Sequence, residues 1–455
     1  MVSSLRLRRL QKQQARAAAR RASRLRRAEQ LVPDLDVRVL VDRLPAELLA
    51  DIHRGLPFLQ RLAFASICGV AGRLLKPEAP WLVLPGDVEG KATLFSLADR
   101  EAATVRTSGP AMRGHVVVGS SGGWLVTADA RGALRMANPV TGAQADLPAM
   151  ATIPMFLRSD YCFCLDAQAF VQLRFGGPPP PDDKVWGPIP PRTYSLSAMQ
   201  MRQWFFRKVV LDAHPSPGSY AAMLISQLPF GVPAFATAED PNWRLAPSYD
   251  GIEDAIHHDG RFYSISYSGV VEAWDRNAET GEFTSSVVAP RLPLPDDEKH
   301  HRKYLAAAPD GRLMAVLKGT KEEDHRFYWS RKVTRPFFKV RILDMARQRW
   351  DDAVDHIGDA ALFVGMNASL CVPAREYWGI RPGGVYFTDD ELGEASVRHE
   401  EGGHYICNCD EDNDYRDNRY KVNVYSLRKG MAECIYKLEK HPCWPRAAWF
   451  TPSFS

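Results

Sequence analysis

Cysteine is scarce, at eight in 455 residues. That density excludes a small disulfide-stapled scaffold. The first residues carry arginine where a secretory signal would need an apolar core, so the reading is of an intracellular chain. Long hydrophobic runs are missing too. The uncharged stretch 220–238 comes nearest, but Pro229, Gly231 and Pro233 interrupt it and Ser226 and Gln227 dilute it. A membrane-spanning helix needs ~20 mostly apolar residues, so no membrane role is expected. Aromatic residues are nearly absent from the first 80 positions, where only Phe58 and Phe64 occur, while all 11 Trp lie from Trp81 onward. Acid is nearly missing from the amino-terminal 30 residues, which hold nine Arg and Lys12 against Glu29 alone. The whole chain is only +4, so the basicity belongs to a tail and the body is mildly acidic. A nucleic-acid binder is disfavoured: the tail has no aromatic on which a base could stack, and any contact would be phosphate-driven and salt-sensitive.

What is present falls into three parts. Residues 1–36 read as a basic tail, disordered or partly helical, with a composition that suits nuclear localisation and, secondarily, an organelle transit signal. Residues 40–79 read as a small all-α segment. Leu44, Leu48, Leu49, Ile52 and Leu56 recur at helical spacing, Pro45 suits a first turn, and Gly55 with Pro57 ends the helix. Leu59, Leu62, Phe64, Ile67, Cys68, Leu74 and Leu75 supply two further short helices. So short a segment buries little surface alone and is expected to lean on a partner or on the next domain. Residues 80–455 are strand-like and punctuated by Gly and Pro.

That body repeats weakly. Asp259-Gly260-Arg261 leads into FYSIS and GVVEAWD, and Asp310-Gly311-Arg312, 51 residues later, leads into LMAVL and KVRILD. Gly122-Gly123 leads into WLVTAD and ALRMAN, and Gly384 into VYFTDD and KVNVYS. A strand–turn–strand unit followed by a further turn and strand suggests a β-propeller of six or seven blades. A β-sandwich is the structural alternative, but such domains are usually nearer ~100 residues. The proline-rich stretch 176–191 and the charged stretch 292–303 read as loops.

Chemistry is hard to find. Gly119-Ser120-Ser121-Gly122-Gly123 matches G-x-S-x-G, but a nucleophile elbow needs a helix next, and Trp124-Leu125-Val126-Thr127 is strand. Cys162/Cys164 and Cys407/Cys409 are C-x-C pairs without the partners of a tetrahedral metal site; His441-Pro442-Cys443 stands apart. Asp410, Asp412 and Asp414 imitate a calcium loop, yet Tyr415 and Lys421 occupy the positions of the required Gly and Glu. His257-His258 and His300-His301 read as turn residues. No P-loop or GxGxxG occurs, and the Asn367-Ala368-Ser369 sequon lacks a secretory context. The expectation is a non-catalytic chain with no cofactor and no metal.

The segment from Leu44 to Lys76 resembles an F-box: LPAELL, then GLP, then Ile67-Cys68. It differs in having His53 where a second aliphatic follows Ile52, and Ala71 where a tryptophan is usual. The body resembles the KIB-type β-propeller of plant F-box proteins through WLVLP after Pro80, GSSGGWL (119–125), NPVTGAQADLP (138–148), IGDAALFVGMNASL (357–370), VYFTDD (385–390) and WFTPS (449–453). The resemblance implies a mainly β fold, a propeller preceded by an F-box-like helical segment. It also implies a substrate receptor of an SCF-type ubiquitin ligase in nucleus and cytoplasm. The helical segment would bind an SKP-family adaptor, and a cullin through it, by Leu44, Pro45, Leu48, Leu49, Ile52, Leu56 and Pro57; the propeller would hold a target protein. The alternative is a propeller interaction scaffold whose F-box no longer binds the adaptor.

Overall fold

The computed structural model describes residues 43–68 and, in the body, 78–84, 91–106, 115–129, 132–153, 156–158, 162–166, 193–197, 205–226, 232–248, 251–293, 300–323, 333–353, 357–388, 420–438 and 447–453. The chain divides into two compact units, residues 1–76 and 77–455. The first contains helices α1 (Ala46–Gly55) and α2 (Phe58–Ile67). Pro45 and Pro57 stand at the two N-caps, where a missing N–H costs nothing.

The second unit is a six-bladed β-propeller. Blade 1 holds β1 (Trp81–Leu84), β2 (Lys91–Ser96) and β3 (Glu101–Arg106). Blade 2 holds β4 (Val116–Ser121), β5 (Trp124–Ala128), β6 (Leu134–Ala137) and β7 (Gln144–Asp146). A separate three-stranded sheet follows: β8 (Phe156–Arg158), β9 (Cys162–Asp166) and β10 (Thr193–Ser197). Blade 3 is β11 (Phe206–Leu211), β12 (Ala221–Ser226), β13 (Pro233–Thr237) and β14 (Asp240–Leu245). Blade 4 is β15 (Ile252–His258), β16 (Arg261–Ser266), β17 (Val271–Arg276) and β18 (Phe283–Ala289). Blade 5 is β19 (His300–Ala307), β20 (Leu313–Glu323), β21 (Val333–Asp344) and β22 (Arg349–Asp352). Blade 6 is β23 (Ala360–Val364), β24 (Leu370–Pro373), β25 (Gly384–Phe387), β26 (Tyr420–Ser426) and β27 (Met431–Leu438), in the order β24-β23-β25-β26-β27. The last strand, β28 (Ala448–Phe450), returns to blade 1 and pairs with β1, Trp81 opposite Phe450 and Leu82 opposite Trp449. Pairing the two ends of the body covers the free edge of β1, which if left unpaired would invite association with other chains.

The sheet β8–β10 is an insertion and not a seventh blade. Blades 2 and 3 meet directly: a Cβ on Gly119 of β4 would lie 1.9 Å from the Val209 carbonyl oxygen of β11. One apolar cluster, including Val118, Trp124, Phe206, Val209 and Trp243, fills that junction. Other clusters join blades 3 and 4 through Phe235 and Trp274, 4 and 5 through Ile265 and Leu305, 5 and 6 through Val316 and Leu362, and 6 and 1 through Phe363 and Trp449.

The sequence repeat has two local causes. Gly122-Gly123, Asp259-Gly260 and Asp310-Gly311 all occupy the hairpin between the first two strands of a blade, with positive φ at Gly122, Gly123, Asp259, Gly260 and Gly311. The Gly384 copy differs: β25 pairs in parallel with β23, so no hairpin precedes it. The outer hairpins repeat more strictly. Ser96, Asn138, Asn277, Asp344 and Ser426 each end a strand or directly follow one, in five different blades, and the side-chain oxygen of each accepts a backbone N–H two or three residues on, at 2.8–3.3 Å. Four residues after each stands one with positive φ: Arg100, Gly142, Gly281, Gln348 and Gly430. The strand ending in Asn, Asp or Ser is therefore a capped turn. Tryptophan repeats as well. The indole N–H groups of Trp243 and Trp350, on the outermost strands of blades 3 and 5, donate to the carbonyls of Pro148 and Pro290 beyond the preceding blade, at 2.7 and 2.8 Å.

Of the remaining expectations, some hold and others change. The uncharged stretch 220–238 contains the paired strands β12 and β13, and among the described residues no helix is long and apolar enough to cross a membrane. His257-His258 and His300-His301 lie on β15 and β19 and are not turn residues, and the loop read at 292–303 gives way to strand at His300. The basic tail, Ala71, the proline-rich stretch 176–191, Cys407, Cys409, the aspartates 410–414 and His441–Cys443 lie outside the described residues.

Candidate docking surface and the propeller axis

Helix α1 has two faces. Leu49 and His53, one turn apart, are buried; Leu49 clusters with Cys68, Phe64 and Ala65, and the His53 ring lies 6.4 Å from that of Phe64. The Arg61 guanidinium of α2 donates to the Leu56 carbonyl at 3.0 Å, which ties the two helices together at their turn. On the other face Leu44, Leu48 and Ile52, spaced by four, are 38%, 50% and 42% exposed. Pro45 and Pro57 are exposed and Leu56 is half-buried. Six of the seven residues chosen from the sequence thus reach solvent at least in part, and Leu49 belongs to the helix pair's own core. The apolar stripe that looked single in sequence divides between a packing side and an outward side.

The propeller's chemistry is concentrated on its axis. The turn between β23 and β24, Gly365–Ser369, crosses from blade 6 to the far side of the ring. Ala368 N–H donates to the Ser120 carbonyl of blade 2 at 2.8 Å, and the Ser369 hydroxyl to Asp254 Oδ2 of blade 4 at 3.4 Å. Asn367 is 1% exposed and its amide donates to the carbonyls of Phe363 and Ala368. The sequon asparagine is thus a structural plug.

Around the plug lie buried charges. The innermost strands of blades 2 to 5 each carry a register shift at an equivalent place, around Val118, Arg207, Glu253 and His301. Such bulges re-aim side chains. Here they bring Arg207, Lys208, Glu253, Asp254, Arg302 and Lys303 together. Arg207 and Lys303 hold the Glu253 carboxylate from two sides, at 3.2 and 2.6 Å, and Arg207 also donates to the Tyr267 hydroxyl at 3.0 Å. Lys208 and Asp254, both fully buried, form an ion pair, and Leu305 N–H donates to Asp254 at 2.9 Å. Burial pushes the Asp254 carboxyl above the usual carboxylate range, against the opposing pull of Lys208 and Arg302. The network bonds blades 3 to 6 to one another; sequence reading missed it because each charge looks like a surface residue until the ring closes.

The G-x-S-x-G stretch is a hairpin between β4 and β5, and the Ser121 hydroxyl accepts the Leu211 N–H at 3.2 Å. No helix follows, so Ser121 is no elbow nucleophile. Among the described residues no group of three His, Cys, Asp or Glu could hold a metal ion.

The sequence model of the KIB1-4 beta-propeller matches residues 94–426, well over half of the chain. The chain belongs to the KIB1-4 beta-propeller family. The matched span takes in the plug, the buried charges and the described residues of blades 2 to 5. No curated protein matches the chain. Similar solved structures of low identity include a putative TolB from Agrobacterium tumefaciens (10% identity, TM-score 0.32, 82% of this chain and 95% of that one). Another is a protein of unknown function from Bacteroides caccae (9% identity, TM-score 0.30, 80% and 94%), and a third the allergen Mala s 1 of Malassezia sympodialis (9% identity, TM-score 0.27, 59% and 87%). At these scores none bears on function. KIB1-4 propellers, as a fold, are typical interaction scaffolds.

Proposed function

We propose that this KIB1-4 protein is the substrate receptor of an SCF-type ubiquitin ligase, with α1 and α2 as an F-box docking on an SKP-family adaptor and the propeller holding the target. The observation that carries the reading is the exposed stripe of Leu44, Leu48 and Ile52, backed by a helix pair with its own small core. The α1–α2 pair gains little from leaving three large apolar side chains in water, and central apolar residues of this kind are what interfaces concentrate. The chain makes and breaks no bond in this role. It raises the effective concentration of target near the ubiquitin-charged enzyme.

The test is Leu48→Asp with Ile52→Asp. A carboxylate in an apolar contact without a partner is costly, so the double variant should lose adaptor co-purification while the propeller melts as in the wild type. His53→Leu with Ala71→Trp introduces the apolar residues usual in the F-box. If neither the wild type nor that variant retains the adaptor, the receptor reading fails and the chain is a scaffold.

A further inference from the structure

Between the Asp310-Gly311 turn of blade 5 and the start of β23 in blade 6 lies a pocket of about 340 Å³. That is near the lower end of the ~300–1,000 Å³ typical of ligand sites. Its floor is apolar, with Met314, Ile342 and Ile357 buried and Pro373 as a wall. Among the described residues its charged lining groups are two carboxylates, Asp310 and Asp359. Each pairs with an arginine outside the lining, Asp310 with Arg312 at 2.7 Å and Asp359 with Arg375 at 2.6 Å. Those arginine side chains are 41% and 84% exposed, and exposed ion pairs are weak, so another cation can displace them. The pocket thiol, Cys371, is pushed up to about 12, first by burial and then by Asp310. It stays protonated at neutral pH and is a poor nucleophile, so the pocket is built for binding and not for thiol chemistry. The axis is occupied by the 365–369 turn, which leaves off-axis sites of this kind for gripping a partner.

We propose that this pocket receives a lysine or arginine side chain of the target protein, its methylene stem on the apolar floor and its cationic head between Asp310 and Asp359. Long cationic side chains suit such a site because stem and head want different surroundings. An acidic side chain would bring a third carboxylate against Asp310 and Asp359, and an aliphatic one would use the floor and leave both carboxylates to their arginines. The proposal gives the partner chemistry of the receptor reading and rests on it.

The probe is a random dodecapeptide display library selected on the purified full chain. The expected result is enrichment of Lys or Arg at one position. Selected peptides should bind at least tenfold more weakly when that residue is replaced by norleucine, which keeps the stem and removes the charge. They should weaken equally against Asp310→Asn/Asp359→Asn, whose melting is checked in parallel; Asp310→Asn alone, at a half-exposed carboxylate, serves if the pair fails to fold. Selection without basic enrichment, or undiminished binding to the variant, overturns the pocket assignment. A wild type that selects basic peptides but never co-purifies the adaptor defeats the receptor reading alone; adaptor binding without basic selection defeats the pocket alone.

Discussion

Gly119 shows how a residue can be required for a reason its motif does not advertise. In the sequence it opens a G-x-S-x-G string; in the fold its missing side chain lets β4 lie against the backbone of β11, since a Cβ there would sit 1.9 Å from the Val209 oxygen. Gly119→Ala should therefore wedge blades 2 and 3 apart and cost about 1–3 kcal/mol by denaturant unfolding. Ser121→Ala loses one hydrogen bond and should cost about 1 kcal/mol. His257 allows a prediction in pH. Burial holds its imidazole below the ordinary histidine value, with His258 adding to the effect, so the folded state prefers the neutral ring. Its stabilising share is complete above the unfolded pKa of ~6.5 and fades as pH falls toward the lower folded value. Melting temperature should drop between pH 7.5 and 5, and His257→Gln should flatten part of that slope.

At the scale of elements, the axial strands matter more than the outer ones. β11, β15 and β19 carry charges into a buried interior because bulges turn them there, and the pair Lys208–Asp254 joins two blades. Breaking a buried pair leaves an orphan charge, at ~3–5 kcal/mol, whereas replacing both partners by apolar residues is often near neutral. Lys208→Met should destabilise the propeller by that amount, and Lys208→Met/Asp254→Leu should recover most of it. A double-mutant cycle in urea measures the difference. The α1–α2 pair is the opposite case: its sequence pattern was legible, but periodicity could not say which side of α1 faced outward. That was decided by Phe64, Ala65 and Cys68 of the second helix and its end: Leu49 clusters with them, and the His53 ring lies near that of Phe64.

For the whole molecule, closure rests on three residues at the far end of the chain. β28 supplies the innermost strand of blade 1, and the segment after it packs on blade 2: Ser453 accepts from the Asn138 amide at 3.0 Å, and its Cβ lies 2.6 Å from where a Cβ on Gly123 would be. Truncation after Cys443 removes both the strand and this clasp and leaves β1 with a bare edge. The truncated protein should be insoluble or aggregated, as read by sedimentation and size exclusion against the full chain.

The amino-acid sequence by itself determined the fold class and three of the four hairpin positions read from its repeat. Those depend on local events: a glycine that tolerates positive φ, an Asn, Asp or Ser that caps a turn, alternation along a short strand. Blade number, the axial plug, the buried charges and the basic-residue pocket were decided only by tertiary structure. Asp254 and Ser369 meet across 115 positions, and Asp310 and Asp359 share one pocket from different blades. No local period encodes such meetings, because they exist only once six sheets have closed into a ring.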